Sequence, residues 1–323
     1  MHKAIASGVV LVGLCASLAA GAPSAAGAPA LYTVPGKRVF PAGIAVVPGT
    51  RSFYVSSRRD GTIFRGDLRR PAMRPFLAGG ANGRESAVGL AADRDRRLFV
   101  AGGPTGTLFV YSTRSARLIR AFDTRLRAPA SFVADVALAP GGDAYATDSL
   151  RPVIYRVPVS TLRPSLDRSP PEPFLDLADS PIDYGPGQNL SGIAVTPDGA
   201  ALLVVQSNTG ALFRIDIASR QITEVPVDGG RTLLGAEGIV LRGGTLYVAR
   251  GGVRRVAAVE LAPDLSSGLP LGTIRARSFA DPSALAGTGG RLLVVNSQLD
   301  GRLATPPRRA RPPFTVSSVR RRP

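Results

Sequence analysis

A short apolar block recurs six times along the chain, each time beginning with a small or acidic residue. The blocks begin at Gly43, Gly89, Asp135, Gly192, Gly238 and Ser283, so successive starts are 46, 46, 57, 46 and 45 residues apart. A fixed period of this length indicates a repeat architecture, in which each unit buries its apolar face against its neighbours. The chain therefore has to be divided into repeats before the secondary-structure propensity of any single segment is considered.

Each repeat contains three further apolar runs rich in aromatic and β-branched residues. In the second repeat they are residues 98–100, 106–110 and 118–120, separated by turn residues. Four short strands in about 40–50 residues are typical of one propeller blade. No apolar periodicity of 3.6 residues is long enough for a core helix after the first 28 residues. The sequence predicts an all-β protein, a six-bladed β-propeller of four-stranded antiparallel blades.

The sixth repeat lacks its last strand. Residues 292–295 are followed by one further apolar run at 312–316, whereas residues 31–34 precede the first repeat and have no partner there. We expect this N-terminal strand to close the last blade and so to remove an open sheet edge. Two or three separate β domains would also fit 323 residues. Even spacing without a linker favours one domain over residues 29–323.

The third interval between repeats is 11 residues longer than its neighbours. The surplus lies within residues 161–188, which are rich in proline and glycine. Such a composition breaks strands and is typical of an exposed loop. Because this loop leads into the innermost strand of blade 4, it is expected either to cover the channel mouth or to decorate the surface.

Residues 1–28 have the features of a secretory signal peptide. A polar start is followed by an uncharged apolar run and by small residues around Ala26. We expect cleavage and release to the extracellular space, with no integral membrane segment, and a monomer. A retained anchor, or a lipid on Cys15, is the alternative. Cys15 and His2 are the chain's one cysteine and one histidine. The mature protein therefore cannot use disulfides, thiols, a Ser-His-Asp triad or a zinc site made of His or Cys.

The formal charge of +17 comes almost entirely from arginine, since Lys3 and Lys37 are the two lysines. The densest cluster is the Arg-rich C-terminal segment, residues 302–323. This segment could hold an anionic surface polymer or nucleic acid at low salt. It could equally be a solvated segment that only raises the isoelectric point. The export signal argues against intracellular nucleic acid, so no nucleic-acid partner is expected.

Propeller geometry indicates where a binding site would lie. The innermost strand of a blade starts where the antiparallel second strand ends, so both points face one mouth of the channel. Polar residues near these points are the candidates for a site: Asp135, Asn189, Ser191, Glu237 and Asp281 near the first strands, and Asp148, Gln206, Arg250 and Asn296 after the second strands. In the sixth repeat the alignment assigns Pro282 to the first group of positions. Each side chain alone could instead satisfy nearby backbone groups.

The blade openings carry a family resemblance. Residues 192–199 read Gly-Ile-Ala-Val-Thr-Pro-Asp-Gly. Together with the six repeats, this resembles the senescence-marker-protein/gluconolactonase/luciferin-regenerating-enzyme superfamily over essentially the whole mature chain. The resemblance implies a divalent metal, often calcium, at the channel mouth. There the metal polarises a lactone carbonyl, and an acidic residue acts as general base toward water.

The family's ligand motifs are altered in this chain. Pro41-Ala42-Gly43 stands in place of Glu-Gly-Pro, Ala134-Asp135 in place of Asn-Asp, Ser191-Gly192 in place of Asn-Gly, and Glu237-Gly238 in place of Asp-Gly. Carried over residue by residue, the resemblance makes Glu237 the catalytic base and a metal ligand. Ser191 and Asp135 also stand at motif positions and would be ligands, and Asp148 and Asn296, which are expected at the same mouth, would be substitute ligands. Gln206, Arg250 and Asn189 would then contact the substrate.

Two functions remain open from the sequence. One is a secreted, metal-assisted hydrolase of a lactone or related ester. The other is a non-catalytic extracellular propeller that binds a small molecule, a carbohydrate, a polymer or a protein at the same funnel. A redox enzyme is not supported, because no haem, flavin, thiol or copper-ligand pattern occurs in the sequence.

Overall fold

The computed structural model describes residues 29–126, 130–228, 233–300 and 309–321. These residues form 25 strands, numbered along the chain, and three short 3-10 helices at Ala81–Gly83, Thr124–Leu126 and Val159–Thr161. The predicted signal peptide lies outside the described residues. So do residues 302–308 and 322–323 of the predicted Arg-rich segment.

Six blades, each of four strands that pair antiparallel, surround a central axis. Blade 1 contains β2 (Pro41–Val46), β3 (Ser52–Ser57), β4 (Ile63–Asp67) and β5 (Arg70–Leu77). Blade 2 contains β6 (Leu90–Ala92), β7 (Arg97–Ala101), β8 (Thr107–Ser112) and β9 (Leu118–Asp123). Blade 3 contains β10 (Val133–Leu138), β11 (Ala144–Asp148), β12 (Val153–Val157) and β14 (Glu172–Asp176).

Blade 4 contains β15 (Leu190–Val195), β16 (Ala201–Gln206), β17 (Leu212–Asp216) and β18 (Ile222–Glu224). Blade 5 contains β19 (Ala236–Arg242), β20 (Thr245–Arg250), β21 (Arg255–Leu261) and β22 (Gly268–Ile274). Blade 6 contains β23 (Pro282–Thr288), β24 (Arg291–Asn296), β25 (Phe314–Arg320) and β1 (Leu31–Val34). The predicted six-bladed propeller is confirmed.

The N-terminal strand closes the ring as the sequence predicts. β1 pairs antiparallel with β25, from Leu31 opposite Ser317 to Val34 opposite Phe314. Tyr32 of β1 is fully buried, and its ring lies 4.9 Å from that of Phe53 in blade 1. The first strand therefore covers the open edge of the last blade and packs against the first blade as well.

Apolar cores lie between neighbouring blades. The core between blades 1 and 2, for example, joins Tyr54 and Ile63 of one blade to Leu98, Val100 and Phe109 of the next. Because each central strand is covered on both faces, its sequence is almost continuously apolar. β16 shows this pattern, since all six of its residues are buried. The repeat is thus a consequence of stacking, and no blade closes a core by itself.

The longer third interval contains the last strand of blade 3, β14, and a separate structure on either side of it. Its first part carries β13 (Arg168–Ser169), which pairs in parallel with β9 at the outer edge of blade 2. Its second part returns to the channel mouth, where the Tyr184 hydroxyl donates to the Asp148 carbonyl at 2.6 Å. Part of the predicted loop therefore lies over the mouth, and part extends the neighbouring sheet.

Among the described residues, no helix combines the length and the apolar character that crossing a membrane requires. Within the predicted Arg-rich segment, residues 314–320 are the third strand of blade 6. Phe314 and Val316 of this strand are fully buried. This part of the segment belongs to the folded propeller.

Candidate functional site

The innermost strands share an irregularity that shapes the channel mouth. In five blades the pairing register shifts near the start of this strand, as between Ala236 and Ile239 in blade 5. A β-bulge of this kind bends the strand and re-aims its side chains. Two consecutive residues of every blade then line one axial cavity. The first ring is Ala42, Val88, Ala134, Ser191, Glu237 and Ser283, and the second ring is Gly43, Gly89, Asp135, Gly192, Gly238 and Ala284.

The sixth repeat was aligned wrongly by one residue. Pro282 pairs with Asn296 in the way that Pro41 pairs with Ser57. Ser283, and not Pro282, therefore occupies the first ring. The small side chain of Ser283 resembled the small residue that opens the other blocks, and this likeness caused the shift.

The second ring is small because neighbouring blades approach each other closely at the axis. A Cβ atom on Gly43 would lie 2.0 Å from the Val88 carbonyl oxygen, and one on Gly192 would lie 2.2 Å from that of Glu237. Asp135 is the one ring member with a long side chain at this level. Its carboxylate accepts the Val136 N–H at 2.9 Å and the Ile193 N–H of blade 4 at 3.4 Å.

Hydroxyl groups join successive blades around the cavity. Each donates to a backbone carbonyl of the next blade: Ser56 to Val88 at 2.6 Å, Thr147 to Ser191 at 2.7 Å, Ser191 to Ala236 at 2.9 Å and Ser283 to Ala42 at 2.9 Å. The Ser283 bond joins the last blade to the first. The Ser191 side chain thus lines the cavity, but its hydroxyl proton is donated to the Ala236 carbonyl and joins blades 4 and 5.

Glu237 is the one ionisable residue of the first ring. Its side chain is accessible from the cavity, yet protein surrounds the carboxyl group. This enclosure, strengthened by the negative charge of Asp281 and partly offset by the positive charge of Arg58, raises the pKa of Glu237 to about 8. Asp281 in turn accepts hydrogen bonds from the Ser297 hydroxyl and the Asp300 N–H. Glu237 is therefore mostly protonated at pH 7 and becomes a base just above it.

Asp135 has a related electrostatic environment. Burial raises its pKa to about 7, and the two backbone N–H donors oppose the rise. The cavity thus holds two carboxyl groups that titrate near neutral pH, one in each ring. Perturbed carboxyls in a concave site are a recognised mark of functional centres.

Asp148 and Asn296 do not line the cavity. Both are fully buried at the ends of second strands. The Asp148 carboxylate accepts the Ser131 hydroxyl and the backbone N–H groups of Phe132, Leu150 and Arg151. The Asn296 amide accepts the Ala280 N–H and donates to the hydroxyls of Thr315 and Ser317. These contacts hold the loops that frame the mouth.

Gln206, Asn189 and Arg250 also lie away from the cavity lining. Gln206 donates to the Asp183 carbonyl at 2.6 Å, and Asn189 accepts the Gly185 N–H at 2.9 Å. Both side chains therefore fix the returning part of the insertion. Arg250 donates to the Leu234 carbonyl at 3.1 Å. Of the eight residues to which the sequence analysis gives a catalytic, metal or substrate role, the structure brings together Glu237, Asp135 and Ser191 at the cavity.

Several residues of the mouth were missed, of which Arg58 and Gln188 have the longest polar side chains. Arg58 lines the cavity and lies over the Phe132 ring, with its guanidinium carbon 5.1 Å from the ring centroid. Gln188, from the insertion, also lines the cavity. Arg58 follows Ser57, the last residue of β3, so a search one residue beyond each second strand would have found it.

The cavity is small, and its oxygen donors are few. Its volume is about 50 Å³, room for a few water molecules at most. Calcium takes six to eight oxygen ligands. The two rings offer two carboxylates, and within the described part of the chain no group of three or more His, Cys, Asp or Glu residues is placed to hold a metal. These donors do not fit a calcium cage, so the calcium site stays a prediction from the resemblance.

Fold and site together define a six-bladed propeller with an acidic cavity on its axis. No family model matches the chain, and no curated protein matches it. Several solved structures share the fold.

The allergen Mala s 1 of Malassezia sympodialis is 18% identical, with 90% of this chain and 96% of that chain covered and a TM-score of 0.65. A streptogramin B lyase is 11% identical, covering 91% and 87%, with a TM-score of 0.59. Virginiamycin B lyase from Staphylococcus aureus is 11% identical, covering 90% and 98%, with a TM-score of 0.56. At this identity the likeness shows the propeller fold alone, and kinship with the gluconolactonases is not shown.

Proposed function

We propose that the chain is an extracellular propeller that hydrolyses a lactone or a related ester at the channel mouth, with Glu237 as general base. The observation that carries this proposal is the position of Glu237. It is the ionisable member of the first ring, it lines a cavity with room for water, and its pKa is raised to about 8. A carboxyl group with this pKa is well matched to proton transfer near neutral pH.

The cavity size determines how a substrate would bind. A volume of about 50 Å³ admits the reacting carbonyl and a water molecule, but not a whole sugar ring. The body of the substrate would therefore lie outside, against the loops of the mouth. Gln188 and Phe132 line the entrance and are available for such contacts.

The reaction then follows from the groups at the cavity. Ionised Glu237 accepts a proton from water as the water oxygen bonds to the carbonyl carbon. The resulting oxyanion is stabilised by the positive charge of Arg58, whose field already acts on Glu237. The ring C–O bond then breaks, and the departing alkoxide takes the proton back from Glu237. The product is the open-chain hydroxy acid, and the carboxylate of Glu237 is regenerated.

A second candidate is the non-catalytic binding module. It is favoured by the first ring itself, where Ala42, Val88 and Ala134 leave half of the positions without a polar side chain. The lyase neighbours do not supply a third candidate. A histidine-to-alanine variant of the Staphylococcus aureus lyase, determined with quinupristin, is described as catalytically inactive. The one histidine of this chain is His2, within the predicted signal peptide.

The test is hydrolysis of a panel of γ- and δ-lactones of sugars by a protein of residues 29–323. The acid that hydrolysis releases is measured. Wild type, Glu237→Gln and Glu260→Gln are compared, because Glu260 is an exposed glutamate of the same blade and controls for charge. We expect turnover by wild type and the control, and its loss in Glu237→Gln.

Parallel reactions with added calcium and with a chelator test the metal. Equal rates in both would remove calcium from the proposal and leave the general base in place. Absence of turnover by wild type under both conditions would remove the hydrolase and leave the binding module.

A further inference from the structure

A second, larger depression adjoins the axial cavity on the same face of the propeller. It lies over blades 1 to 3, has a volume of about 690 Å³ and shares Arg58 and Phe132 with the cavity lining. We call it the arginine groove, because Arg58, Arg59, Arg125 and Arg168 line it. Its size is in the range of pockets that bind small molecules.

The arginines of this groove come from separate parts of the chain. Arg58 and Arg59 follow the second strand of blade 1, and Arg125 follows the last strand of blade 2. Arg168 belongs to the insertion, and the pairing of β13 with β9 carries it to the groove. The insertion therefore has a structural effect that its composition did not reveal, since it adds a cation to the mouth.

Three of the four guanidinium groups are held in place by protein contacts. Arg168 donates to the Asn82 carbonyl at 2.8 Å and lies 3.4 Å from the carboxylate of Asp123. Arg125 lies 3.4 Å from the other oxygen of that carboxylate. Arg58 lies over Phe132, as described above. Because these side chains are already held, they lose less conformational entropy when a ligand binds. This distinguishes the groove from scattered surface arginines.

The lining carries a net positive charge, although the carboxylate of Asp123 offsets one of the two arginines that it contacts. Among the residues that line the groove, Glu85 is the one acid against four arginines. Asp123 lies behind two of them and is buried, so it orients the cations without filling the groove. Guanidinium groups present paired N–H donors that match the two oxygens of a carboxylate. The groove is thus built for an anionic group on a ligand that also reaches the cavity.

We propose that the arginine groove binds the carboxylate of a sugar acid, so that the ligand at the channel mouth is an acidic carbohydrate. This inference rests on the proposed function and deepens it, because it assigns a chemical class to the substrate. A sugar acid whose carbonyl lies at Glu237 would have its body outside the 50 Å³ cavity, where the groove begins. A groove of about 690 Å³ accommodates two or three sugar rings.

The test measures binding and not turnover, so it can fail independently of the hydrolase. Trigalacturonic acid is titrated calorimetrically into the Glu237→Gln protein, which keeps the groove and cannot use the base. Its methyl ester, inorganic phosphate and a 15-residue thymidine oligonucleotide are titrated under the same conditions. Arg59→Gln and Arg168→Gln are added to this protein one at a time. Arg114→Gln serves as the matched control, since Arg114 is exposed in the turn between β8 and β9 at the opposite face.

We expect the trisaccharide to bind, and the methyl ester to bind at least tenfold more weakly. Each groove variant should weaken binding by about threefold to tenfold, while the control leaves it unchanged. Affinity should also fall as salt rises. Arg59 is exposed, so its replacement tests the groove without a change in folding.

Equal binding of the acid and its methyl ester would overturn the inference. So would tighter binding of phosphate or the oligonucleotide than of the trisaccharide, or no binding of the acid at all. Turnover of a neutral lactone alongside any of these results would leave the proposed hydrolase intact.

Discussion

The raised pKa of Glu237 makes the stability of the folded protein depend on pH in a direction that can be measured. The folded state holds the Glu237 proton more tightly than the unfolded state, because its pKa rises from 4.5 to about 8. The associated stability is therefore fully present below pH 4.5 and is lost as pH rises toward 8. Glutamine has no proton to lose, so the Glu237→Gln protein should not show this loss.

The size of the effect follows from the shift. A rise of this extent corresponds to about 5 kcal/mol if fully expressed, and the partial exposure of the Glu237 side chain to the cavity reduces it to about 2 kcal/mol. At pH 4.5 the variant and wild type should have similar free energies of unfolding. At pH 8.5 the variant should be more stable by about 2 kcal/mol, or several degrees in Tm. Asp135 titrates in both proteins, so its contribution cancels in the difference.

The assay is urea unfolding at intervals between pH 4.5 and 8.5. The chain has no tryptophan and seven tyrosines, so far-ultraviolet circular dichroism is the better probe. Glu260→Gln is the control, and its difference from wild type should stay constant with pH. A Glu237→Gln protein whose difference from wild type is also constant would show that this carboxyl is not the perturbed group. A variant that is less stable at pH 8.5 would refute the reasoning outright.

Three further predictions address the fold. Deletion of residues 29–36 exposes the edge of the last blade and should lower Tm by at least 10 °C, measured by calorimetry; an unchanged Tm would contradict closure by β1. Gly192→Ala should destabilise by about 2 kcal/mol in urea, because its Cβ would meet a neighbouring backbone at 2.2 Å, whereas Gly141→Ala, with open space around it, should not. Arg84→Met leaves two backbone carbonyls and a tyrosine hydroxyl without their buried donor. The free energy of unfolding, measured in urea, should therefore fall by about 3 kcal/mol. An unchanged value would mean that water replaces the guanidinium.

Most of the architecture could be predicted because stacking imposes a period. Glycines at the start of the innermost strands are required where blades meet, and a Cβ on Gly43 shows why. The alignment failed at Ser283, because its small side chain resembles the glycine that opens most of the other blocks, and the strand pairing that distinguishes the two positions is not visible in the sequence. β13 was also not predicted, because two residues that pair with a neighbouring blade leave no periodic pattern.

The site was harder to predict for a geometric reason. Position along a strand locates the mouth, but it does not determine whether a side chain points into the cavity or into a loop. Asp148 and Asn296 stand at the expected level and point into the protein, where they bind backbone and hydroxyl groups. Glu237 was found because its position in the first ring is set by the strand itself. The raised pKa depends on Asp281 and on enclosure, which only the folded chain provides.

The pH dependence of turnover tests the central claim most directly. The quantity is kcat/KM for the best lactone of the panel between pH 5.5 and 9, after subtraction of spontaneous hydrolysis. With Glu237 as general base, kcat/KM should rise with an apparent pKa near 8 and level off above it, and Glu237→Gln should remove the enzymatic rate at every pH. A rate that survives in Glu237→Gln, or a flat profile in wild type, would contradict the account.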